Sequence, residues 1–145
     1  NHQFPYTVKH YATGNMQKTQ AKARDLGVVW LTIVSSEPGA QGYVTAKEAN
    51  DLTTSRNAKP DHVLLDPKGV VGKAYDARVT PHMYVVGKEG NLLYMGGMDD
   101  KPTWRHSSVK DAKNYVLAAL DDIQAGRKVK EAVTQHYGCT IKYGS

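Results

Sequence analysis

The run Val28–Val34 (VVWLTIV) constrains the fold more than any other segment. It is apolar, rich in β-branched residues and without helical period, so it reads as a buried strand. Gly27 stops the segment before it, and the loop Ser35–Gly42, with Pro38 and two glycines, follows it. Upstream, Pro5–His10 suits the first turns of a helix, because proline at the start gives up only an amide with no helical acceptor. Gly14 interrupts that helix, and Asn15–Leu26 forms the next, with Met16, Thr19, Ala23 and Leu26 near helical spacing. Thr45 and Glu48 have the spacing of a capping box, opening a helix that runs to about Arg56. His62–Asp66 (HVLLD) is a short strand, and Val70–Tyr75 a short helix. His82–Val86 and Asn91–Met95 read as antiparallel strands joined by the turn Lys88-Glu89-Gly90. A polar loop, Gly96–Ser107, leads to a last helix. Ser108 with Asp111 is its expected cap, and Val109, Ala112, Val116, Ala119, Leu120 and Ile123 its apolar face, up to Gly126. Helices alternating with strands predict an α/β fold. The first two strands, linked through a helix, should pair in parallel with a right-handed crossover.

A chain of 145 residues makes one domain. We expect residues 1–126 to form it, and residues 127–145 to be a tail pinned by Tyr137, Ile141 and Tyr143. Cys139 is the single cysteine, so the chain forms no internal disulfide and no multi-thiolate zinc site. The net charge of +5 comes from scattered Lys and Arg, without the concentrated charge and interleaved aromatics of a nucleic-acid surface. No apolar run approaches the roughly 20 residues of a membrane span. There is no phosphate-cradling loop, Gly96-Gly97 being too short a signal, and no cofactor is expected. His2, His10 and His82 lack any ligand spacing that would recommend them as a metal set. The chain opens at Asn1 without a Met, a basic leader or an apolar leader core.

Three segments, in order, resemble the redoxin family, the thioredoxin-like and peroxiredoxin-like proteins of AhpC/TSA type. The opening NHQFPYTVKHY is similar to the active-site turn of one periplasmic-type subgroup, where an Asn is followed three residues later by Cys-Pro-Phe or Cys-Pro-Tyr. AYDARVTPHMYVVGKEGNLLYMGGMDD (74–100) is similar to the segment that carries the family's Thr–cis-Pro, here Thr80-Pro81, before its strand hairpin. The tail YGCTIKY (137–143) resembles that subgroup's C-terminal signature. The resemblance implies a thioredoxin-like mixed sheet flanked by helices. It implies thiol–disulfide or peroxidase chemistry on protein disulfides, small thiols or peroxides, and a bacterial periplasmic or secreted setting. Two departures stand out. The nucleophile's position is Phe4, and the second position of a Cys-x-x-Cys pair is Thr7, so both thiols are missing. The family's N-terminal strands are also missing, one of them central in its sheet. Upstream residues or another chain are therefore expected to complete the sheet, since buried unpaired peptide groups are costly.

The site implied by the resemblance is the turn Asn1–Thr7, with Phe4 and Thr7, opposed by Thr80, Pro81 and His82, with Cys139 as an auxiliary thiol. Phe4 is open to two readings: a true Phe in a redox-inactive relative, or a position held by Cys or selenocysteine in the parent. As a structural residue it would be a core Phe under the first helix. Lys9 and His10 would help an anion at that turn, but a solvated Lys and a helix-surface His explain them as well. His82 is a proton donor beside residue 4 or a strand histidine held by a backbone carbonyl. Cys139, lacking a partner cysteine, reads best as a buried, inert thiol. Asp99 and Asp100 read as loop-solvating carboxylates without a positioned partner. Tyr75, Tyr84 and Tyr94 read as packing residues. The expected function is a redoxin scaffold without turnover, because a phenyl ring attacks neither peroxide nor disulfide. The alternative is a non-catalytic binding or structural subunit, docking a partner through Phe4, Tyr6 and the cis-proline edge.

Overall fold

The computed structural model describes residues 4–145. Helices α1 (Pro5–Ala12) and α2 (Asn15–Asp25) are followed by strand β1 (Leu31–Val34), helix α3 (Ala46–Ser55) and strand β2 (His62–Leu65). Then come α4 (Val70–Ala74), β3 (Val79–Thr80), β4 (Met83–Val86), β5 (Leu92–Gly96), a 3-10 turn (His106–Asp111), α5 (Tyr115–Gln124) and β6 (Cys139–Thr140). The chain is α/β. β1 and β2 pair in parallel through α3, as the order of elements predicts. β4 and β5 form the expected antiparallel pair, and the tail adds a third, with β6 antiparallel to β3. Among the described residues these are three separate two-stranded ladders, not one continuous sheet.

The local signals account for most boundaries. Pro5 stands at the head of α1. The Thr45 hydroxyl accepts from the Glu48 amide at 3.2 Å, while Glu48 accepts from the Thr45 amide at 3.1 Å, so the capping box forms. The last helix departs from expectation. Ser108 and Asp111 lie within the 3-10 turn, and the helix starts at Tyr115. Asn114 outcompetes them as cap, because its side chain accepts from the Leu117 amide at 2.9 Å. Asp100 holds the preceding residue by accepting from the Lys113 amide.

The core lies between α2, α5 and one face of the β4–β5 pair. Met16 and Ala23 meet Met83, Val85, Tyr94 and Met98 there, along with Val116, Ala119 and Leu120 of α5. The larger of these side chains each stabilise by about 1.5–3 kcal/mol when fully buried. The strand at VVWLTIV is shorter than read and is not buried: Val29, Leu31 and Ile33 are 66%, 50% and 40% exposed. The reason is that β1 has β2 on one edge and an open cleft on the other. The tail is tied down at several points. Besides β6, the Tyr143 hydroxyl donates to the Ala77 carbonyl at 2.7 Å, and the Met95 amide donates to Ala132. No helix among the described residues is long and apolar enough to cross a membrane.

Candidate functional site

A cleft of about 360 Å³ runs between β1 and β4. Phe4, Thr7, Thr80, Pro81 and His82 all line it, so the structure brings together five of the six residues singled out in the sequence. Asn1 and His2 lie outside the described residues.

Phe4 is the N-cap of α1, with extended backbone and no side-chain cap bond. Its carbonyl accepts from the Val8 amide at 2.9 Å. The helix thus presents first-turn N–H groups beside residue 4, a setting that favours negative charge. The ring is only 1% exposed. It fits because position 42 has no side chain: a Cβ on Gly42 would stand 2.5 Å from the ring and 2.7 Å from Ser36 Oγ. Gly42 also has φ +98°, which disfavours any other residue. An exposed Phe4–Tyr6 docking patch is therefore not present. Phe4 is buried, and the half-buried Tyr6 packs edge-on against Tyr137 with centroids 5.7 Å apart. Thr7 is buried too, and its hydroxyl has no hydrogen-bond partner among the described residues.

Opposite, the Thr80–Pro81 peptide bond is cis. Thr80 pairs directly with Cys139 across the β3–β6 ladder. The backbones come this close because residue 138 is glycine, as a Cβ there would strike the Thr80 carbonyl. Cys139 is a free, half-buried thiol next to the site rather than in the lining of the cleft. His82 is held by a backbone group, but through the opposite polarity from the one expected: its Nδ1 accepts from the Arg78 amide at 3.2 Å. Its ring stacks on Tyr84 and on His136, with centroids 4.8 and 4.6 Å away. Desolvation, with His136 nearby, brings its pKa down to about 4, so it is neutral at pH 7.

Lys9 and His10 correct a further expectation, for both are 0% exposed. They meet a buried polar cluster centred on the Tyr137 hydroxyl. That hydroxyl donates to Asp99 Oδ1 at 2.6 Å, accepts from Lys9 Nζ at 2.8 Å and lies 3.2 Å from His10 Nε2. Asn15 fixes the imidazole tautomer: its amide NH₂ can only donate to His10 Nδ1, at 2.9 Å, so the ring proton sits on Nε2 and points at Tyr137. Lys9 also donates to the Lys101 carbonyl and lies 3.9 Å from Asp99 Oδ2. Asp99 is thus a buried anchor, not a solvated loop residue. Its Oδ1 also accepts from the Lys101 amide, and Asp99 bridges to Asn114. Burial lowers the Lys9 pKa, against the pull of Asp99. Burial lowers His10 to about 4. Burial and then the bond to Asp99 push the Tyr137 hydroxyl well above its ordinary value. The cluster clamps the last turn of α1 to the tail and to the loop before α5.

Sequence reasoning missed Gly42 and Ser36, which seat Phe4, and His136, which stacks on His82. Gly42 carried a signal, as one of two glycines in a loop after a strand. His136 carried none, because its partner is 54 positions away in the chain. No group of three or more His, Cys, Asp or Glu among the described residues is arranged to hold a metal.

No protein-family model and no curated protein matches the chain. Solved structures do. A hypothetical protein of Sinorhizobium meliloti superposes with a TM-score of 0.82 at 24% identity, over 98% of this chain and 75% of that one. An uncharacterized conserved protein of Geobacillus kaustophilus superposes with a TM-score of 0.74 at 26% identity, over 97% of this chain and 72% of that one. These likenesses support the fold.

Proposed function

We propose that the chain is a redoxin-type scaffold, of the thiol–disulfide oxidoreductase or peroxidase class, in which Phe4 occupies the nucleophile's position. The observation that carries this reading is the convergence of Phe4, at the head of α1, and the cis Thr80–Pro81 bond on one cleft. A helix N-terminus lowers a thiol's pKa, and the thiolate is the reacting form. A phenyl ring has no lone pair to offer, so a chain with Phe at position 4 does not perform the chemistry. Neutral His82 stands in the same cleft, where it would carry a proton rather than a charge.

The test is Phe4→Cys with Cys139→Ser, compared with Cys139→Ser alone. The thiolate introduced at position 4 attacks one sulfur of an aromatic disulfide reagent, the reagent's S–S bond breaks, and one aromatic thiolate leaves as the mixed disulfide forms. The double variant should release one aromatic thiolate per chain at least tenfold faster than a free thiol at pH 7, and Cys139→Ser alone should release none. Reaction no faster than a free thiol overturns the proposal.

A further inference from the structure

A second, smaller cavity of about 60 Å³ lies between α3 and the β1–β2 pair. Thr32 and Val63 are register partners, so they stand side by side on one face of the two strands and form its floor. Ala49 and Leu52 of α3 face them, and Val34 and Val44 extend the apolar lining. Arg56, the C-cap of α3, is the one charged residue that lines the cavity. Its backbone is held at both ends. The amide donates to the Leu52 carbonyl at 3.0 Å, and the carbonyl accepts from Gln17 Nε2 at 2.7 Å. The guanidinium lies over the Tyr11 ring, 4.7 Å from its centroid.

That positioned charge has no counter-ion. Arg56 Nη2 is buried and has no hydrogen-bond partner among the described residues. Asp51 and Asp61, the carboxylates close to it in the chain, are taken by Lys47 and Arg24. Burial lowers the Arg56 pKa and only the Tyr11 phenol opposes it, yet a guanidinium stays charged at neutral pH. The end of α3 and the face of Tyr11 both favour a cation, but neither gives Nη2 an acceptor. A buried charged donor left unpaired is costly. The lining narrows what answers it. Two waters, at roughly 30 Å³ each, fill the space but leave the charge unneutralised among aliphatic side chains. A phosphate or sulfate brings more charge than one guanidinium balances. A neutral apolar molecule leaves Nη2 unpaired. The Thr53 hydroxyl is already spent on the Ala49 carbonyl, at 2.9 Å. A short aliphatic carboxylate meets both demands. One oxygen accepts a charge-assisted bond from Nη2, and the hydrocarbon covers the apolar lining.

We propose that this cavity binds a short aliphatic monocarboxylate of about three carbons, its carboxylate on Arg56 Nη2 and its tail between α3 and the β1–β2 pair. Phe4, Thr80, Pro81 and His82 do not line this cavity, so the proposal stands or falls separately from the reading of position 4.

The probe is propionate, with propionamide as its uncharged isostere. Each is titrated into the 145-residue chain at neutral pH and constant ionic strength, and followed by methyl and arginine side-chain NMR. Propionate should shift the Leu52 and Val63 methyls and the Arg56 side-chain N–H signals saturably, in the millimolar range. Propionamide should bind at least tenfold more weakly, and chloride should leave both methyls unmoved. Arg56→Met keeps an unbranched side chain and removes the charge. It should weaken propionate at least tenfold and leave propionamide unchanged, which also reports that the cavity is intact. Should that variant not fold, the comparison of propionate with propionamide on the unaltered chain decides alone. Four results overturn the proposal. One is no saturable shift at tens of millimolar propionate. Another is equal affinity for propionamide, which makes the cavity a general apolar pocket. The third is the same shifts with chloride, which makes Arg56 a site for any small anion. The last is unweakened propionate binding in a folded Arg56→Met chain.

Discussion

Tyr137→Phe tests whether the buried cluster holds α1 in place. The substitution keeps the ring, its contact with Tyr6 and its face toward Lys9 Nζ, 4.9 Å from the centroid, and removes only the hydroxyl. Three hydrogen bonds go with it: the 2.6 Å bond to Asp99, the 2.8 Å bond from Lys9 and the 3.2 Å contact with His10. The first two involve charged partners, and such bonds contribute about 1.5–3 kcal/mol each, against about 1 kcal/mol for a neutral one. Part of the loss is absorbed, because Lys9 retains the Lys101 carbonyl and Asp99 Oδ1 retains the Lys101 amide. The expected net cost is about 3 kcal/mol. With a urea m-value of about 2 kcal/mol/M, the unfolding midpoint should fall by about 1.5 M. The melting temperature should fall by roughly 6–12 °C. Urea titration and thermal melts, followed by tryptophan fluorescence and far-UV circular dichroism, measure the two shifts. Combining Tyr137→Phe with Asp99→Asn should show a coupling of about 1 kcal/mol or more, since the two side chains share a bond. A single-variant loss under about 0.5 kcal/mol, or additive effects, would refute the clamp.

The same geometry makes two further predictions. His10 is held neutral, its pKa lowered from the ordinary 6.5 to about 4. Between those values the unfolded chain binds the proton that the folded chain refuses. Stability is therefore fully present above pH 6.5 and is lost as the pH falls toward 4, by on the order of 3 kcal/mol. His82, lowered to about the same value, adds a similar slope, so His10→Gln should remove about half of the pH dependence between urea titrations at about pH 4.5 and pH 7, and an unchanged slope would refute the assignment to His10. Gly42→Ala places a Cβ against the Phe4 ring at a positive φ and should cost about 2–4 kcal/mol. Adding Phe4→Ala should return part of that loss, and strictly additive costs would show that the two do not touch.

What the sequence made legible was local. The Thr45–Glu48 box, the proline at the head of α1 and the glycine turn before β5 depend on residues within one turn of each other, and each forms as read. The β1 strand was legible as a strand but not as an open edge, because burial depends on what lies beside it and no pattern within the run itself carries that. The cap of α5 was misread because two acceptable caps compete, and Asn114 wins through neighbours in the loop near Asp100. Lys9 and His10 looked like surface residues because their partners, Asp99 and Tyr137, lie 90 and 127 positions away. The candidate site was legible in its two halves, Phe4 with Thr7 and Thr80-Pro81-His82, and the cleft between them supplies the connection.

The central claim is that residue 4 stands where a redoxin nucleophile would, at the head of α1 beside free first-turn amides. The most direct measurement is the thiol pKa of Phe4→Cys in the Cys139→Ser background, read from the pH dependence of its alkylation by iodoacetamide. The account predicts a value at least about one unit below the ordinary thiol value of about 8.5. A value at or above about 8.5 would mean that burial dominates at this position and that the helix terminus confers no thiolate character, contradicting the account.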